Sequence, residues 1–404
     1  MPRATRRPAA LLAALLLAGC SWGATPTPRT IVPPTQPAGT VPVIVATPPP
    51  EAAAAAPGQA APAGPPGQAT AASAAPGGTT APATSPTPAG PAPRLVKLTW
   101  DGCCPQPQWL ADGRGVFFYG PGKPGGAQNG TWWVPRDGGA PQLLNAHYGA
   151  FTPDQRLVAY PDGGLTRLAR VDGTPLGAVD SQGLRVYFAP TGDRIAWLVL
   201  ADDVDQGPVE LEAPTRVAVA GADGTGARVL PVVLRTETLQ WFPDGRRLLI
   251  NARDAAGAHP GLVILDIDTG ALTRLVDAGS LESPAISPDG RAIAYTATLQ
   301  ADPAQDGVWL VNADGSGRRR LPIAGGYRWA PDGRSLLYVP APSDLPTDEL
   351  WRYRLADGAA VPVVRADRAR FAIVQDEWEV APDGAAIAFR SAYDGAIWTL
   401  QFAP

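Results

Sequence analysis

Few side chains in this chain could perform chemistry. Histidine occurs only at His147 and His259, in different parts of the chain, so each is read as structural rather than catalytic. There is no Gly-x-Ser-x-Gly elbow of the kind that exposes a nucleophilic serine, and no His or Cys cluster has zinc spacing. Cys103 and Cys104 are adjacent. Neighbouring Cα atoms lie about 3.8 Å apart, below the usual disulfide range, so a bond between them would be strained and labile. A rigid loop or a free thiol pair is favoured over a redox element, because no acidic and histidine cofactor set accompanies the pair. Asp266, Asp268 and Gly270 have a calcium-like spacing, yet they fall where a strand-to-strand turn is needed, and turn chemistry is the preferred reading. The sequence therefore predicts no catalytic residue, no metal and no cofactor, and leans towards a protein that binds without turnover.

What positions these residues is a recurring phrase, Ser287-Pro288-Asp289-Gly290-Arg291-Ala292-Ile293-Ala294-Tyr295. Variants occur at Pro243-Asp244-Gly245-Arg246, Pro331-Asp332-Gly333-Arg334 and Pro382-Asp383-Gly384, and weaker ones at Ala111-Asp112-Gly113-Arg114, Pro153-Asp154-Gln155-Arg156 and Pro190-Thr191-Gly192-Asp193. Pro presets φ, Asp bonds nearby backbone and Gly accepts a positive φ, so each copy reads as a tight turn between strands. Two residues before each Pro-equivalent stands an apolar residue: Trp109, Phe151, Phe188, Trp241, Ile286, Trp329 and Val380. These are expected in the core, on the innermost strand. Seven copies at a mean period of about 45 residues, with four short strands each, predict an all-β, seven-bladed β-propeller, six blades being the alternative. The last copy supplies only three strands, so Arg94 to Thr99 is expected to close the final blade and remove its free edge.

The copies resemble the TolB-like, or WD-like, propeller repeats of bacterial extracytoplasmic proteins, over all of 94–404. Gln155 in place of Gly, and Thr191 in place of Asp, depart from that pattern. The resemblance implies a fold and a binding style of use, on the cell envelope, without naming a ligand. Before the repeats, Arg3, Arg6 and Arg7 precede an apolar run, Leu11 to Leu17, too short to span a bilayer and read as part of a signal peptide over 1–19. Its end, Leu17-Ala18-Gly19-Cys20, resembles the lipobox of bacterial lipoproteins, which implies a lipidated Cys20, stably anchored by two or more acyl chains. Ser21 resembles the pattern of export to an outer membrane where the host has one. Residues 20–93 form an Ala, Pro, Gly and Thr-rich tether, unable to bury enough apolar surface to fold, with ends roughly 45–50 Å apart as a flexible coil.

Removing Arg3, Arg6, Arg7, Arg29 and Glu51 from the chain's 33 basic and 37 acidic residues leaves 29 against 36 in 94–404, a net charge near −7. This argues against nucleic acid as a partner. Strand alternation gives the propeller one rim of tight turns and one rim of long insertions, at 201–213, 299–306, 341–349 and 365–375. Function concentrates in such loops. The insertions carry Asp202, Asp203, Asp205, Glu210, Glu212, Asp302, Asp306, Asp344, Asp348 and Glu349, with Arg365, Arg368 and Arg370 opposite in sign. The candidate binding site is the channel mouth on that face: Cys103, Cys104, His147, Tyr148, Arg185, Glu237, Glu282, Arg328, Asp376, Glu377 and Trp378, with Tyr148 and Trp378 as exposed-type aromatics. The expectation is a monomeric, lipid-anchored extracytoplasmic scaffold for an envelope protein or peptide. A propeller oxidoreductase or lyase using the channel, and a glycan binder using Trp, are the alternatives.

Overall fold

Each copy of the phrase folds as the turn its residues dictate. In six of them the Asp Oδ1 accepts the backbone N–H two residues on, from Arg114, Arg156, Arg246, Arg291, Arg334 and Ala385, at 2.8–3.1 Å. The remaining copy has Thr191 donating its hydroxyl to Asp193 instead. The turn residue has a positive φ in all seven, including Gln155 at 52°. Adjacent turns also touch. A Cβ on Gly290 would lie 3.2 Å from Pro243, a tight contact, and one on Gly384 3.4 Å from Pro331, so it is chiefly the positive φ that calls for glycine at these turns.

The computed structural model describes residues 92–203, 213–253, 260–277, 280–298, 302–341 and 346–403, without the side chains of Glu237, Pro260 and Gln375. The expected signal peptide, Cys20, almost all of the tether, His259, Asp205, Glu210, Glu212 and Asp344 lie outside the described residues. Strand β1 (Arg94–Lys97) comes first. One sheet holds β2 (Gln108–Trp109), β3 (Gly115–Gly120), β4 (Gly130–Pro135) and β5 (Gln142–Asn145); the next holds β6 (Ala150–Phe151), β7 (Leu157–Asp162), β8 (Leu165–Arg170) and β9 (Pro175–Asp180). A longer sheet follows, made of β10 (Val186–Phe188), β11 (Arg194–Leu200), β12 (Thr215–Gly221), β13 (Arg228–Trp241), β14 (Arg247–Arg253), β15 (Pro260–Asp266) and β16 (Leu272–Asp277). Then come β17 (Ser280–Ile286), β18 (Ala292–Thr298), β19 (Gly307–Asn312) and β20 (Arg319–Arg320), followed by β21 (Gly325–Trp329), β22 (Ser335–Pro340), β23 (Leu350–Arg354) and β24 (Ala360–Val364). The last sheet combines β25 (Ile373–Val380), β26 (Ala386–Ser391), β27 (Ile397–Gln401) and β1, with Arg94 opposite Gln401 and Lys97 opposite Trp398.

The arrangement is an all-β propeller, but the expected blade count is corrected. The described residues form five four-stranded blades, not seven or six. Copies three and four do not make separate four-stranded blades, because β10 to β16 are one continuous seven-stranded sheet. The cause is β13, which runs for 14 residues. It pairs with β12 as far as Leu234 and with β14 from Arg235 onward. Nothing between Val232 and Trp241 is Gly, Asn, Asp or Pro, so the chain has no turn signal at which to break.

First strands lie against one another across neighbouring sheets, β25 beside β2 and β21, β17 beside β21, and β10 beside β6 and β13, so they ring the axis. Tryptophan ties several of them together. Trp109 Nε1 donates to the carbonyl of Glu379 at 3.1 Å, Trp241 Nε1 to that of Tyr187 at 3.0 Å, and Trp329 Nε1 to that of Ala285 at 2.9 Å. These three rings are buried, whereas Phe151, Phe188, Ile286 and Val380 are half-buried. Apolar layers fill the space between sheets: Trp109, Val116 and Phe118 pack with Ala381, Ala388 and Ile397 where first and last sheets meet.

Candidate functional site

The lead-in to each first strand points to the mouth on the loop-rich face, and the backbone there is unusual. Six described non-glycine residues have φ between 49° and 61°. Gln155 belongs to a tight turn. The other five, Cys104, Gln106, Gln182, Ser283 and Asp376, precede or interrupt first strands. Register shifts occur on the same strands, between Glu282 and Ala285 in β17, between Ile373 and Trp378 in β25, and between Thr236 and Thr238 in β13. Bulges and positive φ at non-glycine positions concentrate at functional sites, where they re-aim side chains.

Arg328 and Asp376 form the centre of the observed site. Arg328 donates from Nε to the Trp378 carbonyl at 3.0 Å, from one terminal nitrogen to Tyr327 O at 2.8 Å and Asp376 Oδ2 at 2.9 Å, and from the other to Asp376 O at 2.7 Å. Its guanidinium also lies 4.9 Å from the Trp378 ring centroid. Asp376 Oδ1 accepts Trp378 Nε1 at 2.5 Å. A Cβ on Gly326 would come within 1.9 Å of that same oxygen, so a side chain there would displace the Asp376 carboxylate from its partners. Trp378 itself is 1% exposed and packs with Leu337, Ile387 and Phe389. The expectation of an exposed-type aromatic at 378 is therefore corrected: strand alternation turns this ring into the core, with Asp376 capping its indole nitrogen and Glu377 and Glu379 on the other face.

The remaining candidates surround this centre or lie further round the mouth. Cys103 and Cys104 are joined by a disulfide, with Cys103 buried. Gln106 N–H beyond them donates to Glu377 Oε2 at 3.0 Å, and Arg390 donates to Glu377 Oε1 at 3.3 Å. Exposed His147 stacks on Tyr160 at 3.8 Å between centroids, and exposed Tyr148 meets Tyr119 edge-on at 5.8 Å. Arg185 is exposed and lies over Tyr187. Glu282 is exposed and accepts the Thr298 hydroxyl at 3.2 Å. For Glu237 only the backbone, in β13, is described.

Sequence reasoning named Arg328 but missed its equivalents immediately before the other core positions: Gln108, Ala150, Tyr187, Gln240, Ala285 and Glu379. Their common offset from the phrase is a signal that would have found them. Burial pushes the Tyr119 phenol up, while Arg185 and a hydrogen bond with Gln108 pull it down; the same phenol donates to Gly149 O at 2.9 Å. Glu379 is exposed, although protein atoms crowd its carboxyl. That crowding raises its carboxyl above the usual carboxylate range, with Arg328 acting in the opposite direction. Burial likewise raises the phenol of Tyr327, which donates to Ser283 O at 2.8 Å.

Many of the acidic insertion residues turn out to hold loops. Asp302 caps the short 3-10 turn Pro303–Gln305, Asp348 accepts Ile373 N–H at 2.7 Å, and Glu349 accepts both Trp351 Nε1 and Ala366 N–H at 3.0 Å. Asp203 pairs with Arg216. Asp266 Oδ1 accepts Asp268 N–H at 3.1 Å and Thr269 N–H at 2.9 Å, a turn network rather than an open ligand set. Among the described residues no group of three or more His, Cys, Asp or Glu side chains could hold a metal ion. Two cavities, of ≈ 240 and ≈ 570 Å³, lie among the described residues. The first is lined by Val232, Leu234, Ala252 and Val263, the second by Asp180, Trp197, Leu200 and Arg216. None of the residues expected at the mouth from the sequence lines either, but Gln182, at positive φ before β10, lines the second.

No family model matches the sequence, and no curated protein matches it. In structure the chain is similar to an oligogalacturonate lyase in complex with manganese, at a TM-score of 0.56 and 14% identity, over 76% of this chain and 91% of that one. It is similar also to oligogalacturonate lyase from Vibrio parahaemolyticus, at 0.54 and 12%, over 76% and 91%. A putative TolB from Agrobacterium tumefaciens aligns at 0.38 and 16%, over 64% and 90%, an overlap that carries no argument. At these identities the likeness is one of fold, the β-propeller.

Proposed function

We propose that this chain is a lipid-anchored, extracytoplasmic, TolB-like propeller that binds an envelope protein or peptide at the channel mouth on its loop-rich face. The observation that carries the reading is the gathering of Cys104, Gln106, Gln182, Ser283 and Asp376, all at positive φ, on that one face. The opposite rim uses its own positive φ for self-packing turns, and so has little backbone left to shape for a partner. The lipobox-like Leu17-Ala18-Gly19-Cys20 supplies the anchor in this reading. Likeness to lyases is likeness of fold alone, and among the described residues no acid–base pair or metal-binding group at the mouth favours the enzyme reading.

Two measurements test the proposal. Cys20→Ser should move the protein from the membrane fraction to a soluble or unprocessed form; unchanged detergent-dependent fractionation would reject the anchor. For the face, Arg185→Ser combined with Glu282→Ser should abolish co-purification of a membrane partner, while Asp332→Asn on the tight-turn rim should leave it intact. The reverse pattern would place binding on the other rim.

A further inference from the structure

We propose that the loop 121–129, which joins β3 to β4, is a lid over Trp132. When it lifts, the indole receives an extended proline-containing segment of the partner polypeptide, whose carbonyl accepts the Trp132 N–H. The inference rests on the reading of the loop-rich face as a binding face, and it names a recognition residue there and the chemistry it takes.

Four blades carry the same aromatic pair, a ring on one strand directly opposite a tryptophan on the next: Phe118 and Trp132, Tyr295 and Trp309, Tyr338 and Trp351, Phe389 and Trp398. In three of them the indole N–H is taken up just before its own strand. Trp309 donates to Gln305 O at 2.8 Å, Trp351 to Glu349 Oε2 at 3.0 Å, and Trp398 to the Asp394 carboxylate at 3.2 Å. Trp132 departs from the pattern. Its Nε1 is buried with no acceptor among the described residues. Gln128 holds the place of Gln305 and Asp394, four residues before the ring, yet it is exposed.

What covers Trp132 is weakly held. A Cβ on Gly122 would lie 2.5–2.6 Å from three atoms of the indole, so Gly122, at a φ of 70°, rests directly against the ring. It is the one buried residue of 121–129. The loop makes no hydrogen bond or ion pair to the rest of the described protein, and its own bond, from Gly126 N–H to Lys123 O at 3.0 Å, is internal. The equivalent connection before β23 is fastened at Phe371, Ile373 and Ala366 through Thr347, Asp348 and Glu349. Gly120 and Gly130 stand opposite each other where the loop leaves the sheet, and such small residues absorb the dihedral change of a hinge.

An orphaned buried donor raises the energy of the closed lid, and a partner that supplies an acceptor only after opening favours the open one. The segment now against the ring is Pro121-Gly122-Lys123-Pro124. A partner segment of the same chemistry suits the same surface, as extended proline-containing peptides suit aromatic-lined grooves. Trp132 packs with Trp100 and Cys104, which puts the subsite beside the mouth.

The test follows the indole N–H signal of Trp132, assigned through Trp132→Phe, in the folded protein. Gly122→Asn keeps a residue that tolerates positive φ but sets a Cβ against the ring. It should speed hydrogen exchange at the Trp132 indole at least about tenfold and leave that of Trp309 unchanged; an unchanged Trp132 rate would overturn the lid. Acetyl-Pro-Gly-Pro-Gly-amide, titrated to about 10 mM because so small a contact is weak, should shift the Trp132 signal, and more strongly in Gly122→Asn. Acetyl-Ala-Ser-Ala-Ser-amide should not. Equal shifts from the two peptides, a shift from chitobiose alone, or no shift from any probe would overturn the proline assignment. Exchange and titration are read without the membrane partner, so either can fail while the Arg185 and Glu282 variants still locate binding on this face.

Discussion

Arg328 shows how one side chain can set the geometry of a site without being free to bind. Its planar fork meets two carbonyls and a carboxylate on a bulged strand and lies over a tryptophan, a pattern an ammonium cannot reproduce. Arg328→Lys should therefore cost about 1.5–3 kcal/mol, read from urea midpoints. Trp378→Ala, at a ring 1% exposed, should cost about 3–5 kcal/mol; a loss below 1 kcal/mol would put the ring back on the surface. Glu379 should behave in the opposite way. Its folded pKa is raised, so the folded state binds more protons than the unfolded one between the two pKa values, and stability falls as pH rises through that window. Glu379→Gln should accordingly raise the melting temperature at neutral pH, with the gain vanishing below the ordinary glutamate pKa of about 4.3. The sequence hid this contrast. Trp378 is flanked by Asp376, Glu377 and Glu379, which reads as an exposed stretch, and only the strand and its bulge separate a core ring from an exposed carboxylate.

At the scale of elements, the tight turn was the most legible feature, because Pro, Asp and Gly each have a local mechanical role there. Asp289 illustrates it. The Ser287 hydroxyl and then the Arg291 N–H hold its carboxyl below the usual range. A depressed folded pKa contributes stability that is present above the unfolded aspartate value of about 3.9 and lost as pH falls through the folded one. The melting temperature should thus decline in that acid window, and Asp289→Asn should flatten part of the decline; an unchanged profile would remove the turn from the acid response. The bulges of β17 and β25 were not legible, since no residue type announces them. Nor was the duty of Asp302, Asp348 and Glu349 as loop anchors, because a carboxylate that caps a backbone and one that faces solvent are the same letter.

Across the whole molecule, periodicity showed the propeller and strand counting showed its closure, with β1 completing the last sheet. Removing Arg94–Lys97 should expose the outer edge of β27 and lower the melting temperature, with a greater tendency to aggregate. The number of discrete blades was beyond the periodicity, because a repeat counts turns, and β13 passes from one sheet region to the next without one. The site sits where the ring of first strands opens towards the loops, so its residues come from remote parts of the sequence: Arg328 meets Asp376 from the preceding sheet, and Gln106 reaches Glu377 only through closure.

The central claim is that partners are held at this mouth. It is tested most directly by placing a photoreactive phenylalanine analogue at Tyr148, exposed at the mouth, and in parallel at Asp332 on the tight-turn rim, in the full-length protein in its host cells. The account predicts a discrete crosslinked adduct from position 148 and none from position 332. An adduct from 332 alone would contradict it.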